Sequence, residues 1–313
     1  MTGAALRAAR ADIAHGSRSF ALAARLLPPG IRDDAVLLYA WCRHCDDAID
    51  GQTFGGAMAT VPDAAARLST LRRLTTKALA GDPAPRVFAG LAEVCARADI
   101  PALHPQALLD GFAMDVAGRP FETMGDTLDY CYHAAGVIGV MMAMVMGVRA
   151  APALDRASDL GIAFQLTNIA RDVVEDAGAG RCYLPARLLD AHGLRAGDLT
   201  DPAAWPRARA AAIDLLDVAE RYYASGRTGL ADLPPRCTWG IAAARRIYRG
   251  IGAEIRRATP GSWAARVAVP AWRKGALAAV AMADGARARR ATPAARDQLW
   301  SRPGHGAFDD PSS

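Results

Sequence analysis

Residues 160–176 read LGIAFQLTNIARDVVED. Asn168, Asp172 and Asp176 stand at i, i+4 and i+8, so on a helix they share one stripe, with Ile169, Ala170 and Val173 turned to other sides. The run from Leu160 to Val174 is otherwise largely apolar. Charges set in an apolar helix point to an internal cavity rather than to open surface. Further along the chain in both directions, no segment alternates apolar and polar residues with period two for long enough to argue a sheet. Helical patterns are expected at about 4–27, 31–49, 63–80, 85–98, 105–117, 127–147, 153–177, 202–225, 236–257 and 271–289. The fold class is therefore all-α.

A second acidic cluster lies upstream in YAWCRHCDDAIDG, residues 39–51. Asp46 and Asp50 are four apart and share a face, in the last turn of an apolar helix that carries Leu37 to Ile49. Like charges at that spacing repel, and the negative end of the helix dipole adds to the cost. Nothing in folding recommends the arrangement, whereas a hard divalent cation with oxygen ligands would relieve both penalties. Asp47 points elsewhere. Arginines accompany both clusters: Arg43 is one turn before Asp46, and Arg171 adjoins Asp172. Cation-binding carboxylates beside guanidinium groups are what a diphosphate leaving group needs.

Composition agrees with a helical chain. The 313 residues are 52% hydrophobic and 22% charged with 6% aromatics, a mix that favours helices over sheets. Of 37 basic residues only Lys77 and Lys274 are lysines, so the net charge of +5 is carried by arginine. The basic residues are dispersed rather than gathered in one stripe, which argues against nucleic acid as a partner. Cys42 and Cys45 form a C-x-x-C, but no second such pair completes a zinc site and no strand precedes it. The six cysteines are expected to be mostly buried thiols of a cytoplasmic protein. The first 16 residues hold no apolar run of signal-peptide length. The most apolar stretch, AAGVIGVMMAMVMGV (134–148), is short for a span of about 20 residues and reads as a buried core helix. A basic surface leaves room for peripheral contact with the inner face of a membrane. No linker divides the chain, so residues 1–290 read as one domain, with 291–313 a disordered tail.

The strings at 39–51, YCYHAAGVIGVMMAMVMG at 130–147, and LGIAFQLTNIARDVVEDAGAGRCYLP at 160–185 resemble the squalene/phytoene synthase family, and within it the phytoene-forming branch. The resemblance spans about residues 15–290. It implies the isoprenoid synthase fold, a helical bundle around a deep central cavity with two aspartate motifs facing each other across its mouth. It implies that Asp46, Asp50, Asn168, Asp172 and Asp176 bind Mg²⁺, with Mn²⁺ the admissible substitute. Arg43, Arg171, Tyr130 and Tyr248 take catalytic roles. Arg43, Arg171 and Tyr130 also hold substrate, with Ser17, Ser19, Phe20, Gln165, Arg181, Tyr183 and Arg266, and Gly136 and Gly139 leave room either for a prenyl tail or for close helix packing.

The implied reaction joins two geranylgeranyl diphosphates head to head, through prephytoene diphosphate, to phytoene in carotenoid biosynthesis, without NADPH. A dehydrosqualene or squalene synthase using farnesyl diphosphate is the nearest alternative. A non-catalytic helical binding protein is the alternative of another class. The glycines and position of 178–185 suggest a flap over bound diphosphate.

Overall fold

The computed structural model describes residues 24–51, 63–296 and 298–303, and no strand occurs among them. Ser17, Ser19 and Phe20 lie outside the described residues, as does most of the expected first helix. Helix α1 (Pro29–Asp50) opens with a proline in its first turn, where the missing N–H has no intrahelical role. It ends at Gly51, whose φ of 62° lets its N–H close on the Asp47 carbonyl. The acidic cluster thus occupies the last turn of α1.

Helices α2 (Ala64–Leu79), α3 (Arg86–Arg97) and α4 (Leu103–Val116) follow. Helix α5 (Met124–Val145) runs for 22 residues and includes a π-turn at Tyr132–Gly136. Helix α6 (Ala151–Gly178) is the longest described, and its second half carries the second acidic stripe. After the short α7 (Ala186–Ala191) come α8 (Trp205–Gly229), α9 (Pro235–Arg257), α10 (Pro260–Ala264), α11 (Ala271–Ala281) and α12 (Asp284–Arg290).

Helix α6 is the axis of the bundle. It packs most extensively on α8 and also against α5 and α9. Its contact with α5 is backbone to backbone. A Cβ at Gly139 would overlap the Ala157 carbonyl, and one at Gly161 would overlap the Ala135 carbonyl. Gly136 belongs to the same seam: a Cβ there would meet Ser158 Oγ at 3.0 Å and Ile162 at 3.2 Å. It does not line the cavity, so of the two roles read for it, clearing a tail path or close helix packing, it takes the packing one.

Three further expectations are revised. The helix expected at 127–147 starts three residues earlier, at Met124, because Thr123 and Asp126 form a capping box. By length and composition that helix could cross a membrane, yet half of its most apolar window is buried inside the bundle, with Cys131, Val137, Val140 and Met141 fully enclosed. The pattern at 271–289 divides into two helices at residues 282–283, where Asp284 is drawn onto Arg246 of α9 by two hydrogen bonds of 2.5 and 2.6 Å.

Beyond 290, the described residues 291–296 and 298–303 are not a loose tail. Arg296 donates to both carboxylate oxygens of Asp159 at 2.6 and 2.9 Å, and Arg302 donates to Asp155 at 2.6 Å. The thiols behave as expected: Cys182 is half-buried and the other five are buried.

Candidate active site

A cavity of about 620 Å³ runs through the bundle between α1, α4, α5, α6, α8 and α9. One end is polar. Asp46 and Asp50 from the last turn of α1 line it, facing Asn168, Asp172 and Asp176 from the second half of α6. Both stripes therefore meet at one mouth, although 118 residues separate Asp50 from Asn168 in sequence. Arg181, in the loop after α6, crosses between them and donates to Asp50 at 2.7 Å.

Each acidic group carries its own guanidinium. Arg43 donates to Asp46 at 2.5 Å and to the Tyr39 hydroxyl at 3.3 Å, while its buried Nε has no acceptor. Arg171 grips Asp172 through two hydrogen bonds of 2.7 and 2.5 Å. Arg266 approaches Asp172 at 3.3 Å and Glu175 at 3.4 Å. Its φ of 60° is rare for a residue with a side chain. Strain of that kind persists only where the surroundings hold it.

The electrostatics show crowding of like charge. Burial, followed by the neighbouring Asp50, Asp47 and Asp115 carboxylates, pushes Asp46 up to about 7 despite the opposing pull of Arg43. Burial and the carboxylates of Asp172 and Glu175 push Asp176 up to about 8. No three His, Cys, Asp or Glu side chains among the described residues converge as a ready-made metal site. The donor set nevertheless suits a hard divalent cation. It consists of oxygen ligands on two facing stripes, crowded enough to raise two of their pKa values, with arginines as the present counter-charges.

Behind this mouth stands a group that spacing did not disclose. Asp115, at the end of α4, accepts hydrogen bonds from Tyr183 at 2.9 Å and Tyr130 at 3.3 Å. Burial pushes Asp115 up to about 6, against the Tyr183 hydrogen bond and the Arg181 charge. The two phenol rings stack 4.8 Å apart. Burial and then the Asp115 charge lift Tyr130 well above its ordinary range, so it stays protonated and acts as a donor. The sequence offered one signal for Asp115, a lone carboxylate in the apolar run GFAMDV, without a partner spacing to single it out.

Tyr248 from α9 stacks on Phe164 of α6 at 4.2 Å, and both line the cavity between the arginines and the apolar interior. Gln165 lies on the same wall, one turn from Asn168, whose amide donates to it at 3.3 Å. Deeper, the walls are apolar: Ala134, Ile138, Met142, Leu160 and Ile251. In the loop after α6, Arg181 and Tyr183 line the cavity and donate to Asp50 and Asp115.

Comparison with known proteins follows the same lines. The sequence profile of the squalene/phytoene synthase family matches residues 13–273. A 15-cis-phytoene synthase from a Paracoccus species is 53% identical over 295 residues, covering 94% of this chain and 96% of the relative. A phytoene synthase from Pseudescherichia vulneris is 47% identical, covering 93% and 96%. Among solved structures, a dehydrosqualene synthase in complex with a ligand superposes with a TM-score of 0.78 at 27% identity, covering 89% of this chain and 95% of that one. A squalene synthase from Alicyclobacillus acidocaldarius, at 22% identity and a TM-score of 0.71, shares the fold; the match covers 81% and 94%.

Proposed function

The chain belongs to the squalene/phytoene synthase family, and from that premise we propose that it condenses two geranylgeranyl diphosphates head to head, through prephytoene diphosphate, to phytoene. It is a prenyltransferase of carotenoid biosynthesis. The observation that carries this reading is one continuous cavity, which joins two aspartate stripes and their arginines at one end to an apolar interior at the other. Identity of 45–53% to relatives named phytoene synthase supports the phytoene-forming branch over the farnesyl-using one.

The chain's own groups divide the work. Arg43, Arg171, Arg181 and Arg266 present guanidinium donors where the two diphosphates leave, matched to phosphate by their planar geometry. Asp46, Asp50, Asn168, Asp172 and Asp176 would hold Mg²⁺ across the mouth. Bound there, the cation supplies Lewis-acid neutralisation of the departing diphosphate. The aromatic faces of Tyr248 and Phe164 stand at the boundary where a carbocation forms, and a cation over such a face is stabilised. Apolar walls exclude the water that would quench it. Tyr130 and Tyr183, both protonated, hold Asp115 through their hydroxyls and fix the wall beneath Arg181. The final cation loses a proton rather than accepting hydride, so the reaction uses no NADPH.

A product assay tests the whole reading. The purified chain is incubated with geranylgeranyl or farnesyl diphosphate, each with Mg²⁺ or chelator and with or without NADPH. Phytoene from geranylgeranyl diphosphate, needing Mg²⁺ and indifferent to NADPH, is the expected result. A preference for farnesyl diphosphate or a reduced product seen only with NADPH would overturn it.

A further inference from the structure

The outward face of α11 carries no charge. Trp272, Ala276, Ala279 and Val280 fall at i, i+4, i+7 and i+8, and all are exposed; Met282 and Ala283 extend the strip. Trp272 keeps 76% of its surface in water, Met282 64% and Val280 50%. Folding gains nothing from large apolar groups left in water together, and a contiguous patch of them marks a contact surface. Trp239 at the start of α9 enlarges the patch: it is partly exposed, and its indole N–H donates to the Ala278 carbonyl at 2.8 Å.

The rim of this face is basic. Arg287, Arg289 and Arg290 of α12 are exposed, while the acid of that helix, Asp284, is buried and held by Arg246 at 2.5 Å, with Arg287 farther off at 3.6 Å. The same corner meets the deep end of the cavity. Leu230, Leu233 and the exposed Asp232 line that end, and Arg289 donates to the Leu233 carbonyl at 3.2 Å.

We propose that the α11 face with the α12 arginines docks on an anionic lipid bilayer. An apolar helical strip beside exposed arginines is the pattern of an interfacial helix, with its apolar side among acyl chains and its guanidinium groups at the phosphates. Charge complementarity selects this occupant. A second copy of the chain would bring its own Arg287, Arg289 and Arg290 against these, whereas an anionic headgroup layer answers them. Resting on the function proposed above, the deep end of the cavity then delivers a hydrocarbon product beside the acyl phase instead of into water.

The test is cosedimentation of the full chain with vesicles of phosphatidylcholine alone or containing about 30% phosphatidylglycerol, an anionic surface of the kind that attracts basic segments. Two double variants accompany it, Trp272→Glu with Met282→Glu, and Arg287→Glu with Arg290→Glu. Wild type is expected to bind the anionic vesicles, and each pair to lower the bound-to-free ratio by at least about tenfold. Diphosphate release in detergent should be unchanged in both. If the apolar pair fails to fold, the arginine pair carries the test; Arg287 lies 3.6 Å from Asp284, which Arg246 still holds through two hydrogen bonds, and a urea melt of that pair checks that it is folded. Absence of vesicle binding by wild type, or equal binding by the variants, would overturn the proposal. So would a wild-type dimer in sedimentation velocity that the variants break without any loss of vesicle binding. Vesicle binding needs no substrate, so its failure is separate from failure of the assigned reaction.

Discussion

Helix α6 carries two acidic stripes of the same spacing with opposite fates. In its first half Asp155 and Asp159 stand at i and i+4, and both are buried, Asp159 with no exposed surface. Ser225 and Arg296 hold Asp159, and Arg302 holds Asp155, closing the pair under residues 294–302. In its second half Asp172 and Asp176 repeat the spacing but face the cavity, with arginines that a diphosphate can recruit. Burial raises the pKa of Asp159 and hydrogen bonds from Arg296 and Ser225 draw it back, whereas Asp176 is raised by burial and then by its acidic neighbours. One pair is satisfied by the fold and the other is left crowded. Spacing on a helix is therefore mute about role; the partners are what separate a structural carboxylate from a reactive one.

The sharpest break of this comparison is Asp159→Ala. Removing this partner from a buried ion pair takes both short hydrogen bonds from Arg296, leaving it only Asp155 at 3.4 Å, and should cost about 3–5 kcal/mol. Urea unfolding measures it, and a loss below about 1 kcal/mol, the range of exposed pairs, would erase the distinction between the two halves. Asp172→Asn should do the reverse: turnover falls by about 10²–10³, as on removing a catalytic electrostatic contact, while the melting curve holds. Full activity in that variant would remove Asp172 from the reaction.

The seam that sets both halves in register is probed by Gly161→Ala, whose methyl would strike the Ala135 carbonyl. An overpacked helix contact of this kind typically costs about 1–3 kcal/mol, read by thermal or urea melting; an unperturbed midpoint would show that the seam relaxes freely.

The smallest effect is on pH dependence. Asp46 and Asp176 titrate higher folded, at about 7 and about 8, than unfolded, so the folded chain binds extra protons between roughly pH 4 and 8. Their contribution is full below the unfolded carboxylate range and is lost as pH rises through 7 to 8. With chelator present, the melting temperature should rise as pH falls from 8 towards 6, and Asp176→Asn should flatten that rise. Identical profiles for wild type and variant would show that Asp176 is not crowded.

Much of this was legible in the chain. The helical period placed α1, α6 and α9 nearly to the residue, and i, i+4 spacing put Asp46 with Asp50 and Asp172 with Asp176. Periodicity spoke less well where structure turns on distant contacts. The described residues of 291–303 read as a tail because no helical or strand pattern runs through them; Arg296 and Arg302 are held by Asp159 and Asp155, more than 130 residues away. Asp115 escaped notice because nothing local distinguishes it from a surface carboxylate. Gly136 read equally as a tail path or as packing, and only the approach of Ser158 and Ile162 separates the two.

By itself, then, the sequence determined the elements and their faces, because helical geometry is local and a residue's face depends only on its neighbours within a few turns. The tertiary structure decided which carboxylates are sealed and which remain available. That choice depends on arginines brought from far along the chain, Arg181 to Asp50 across the mouth and Arg296 to Asp159 beneath the bundle, and a burial or a pKa exists only once those partners have met.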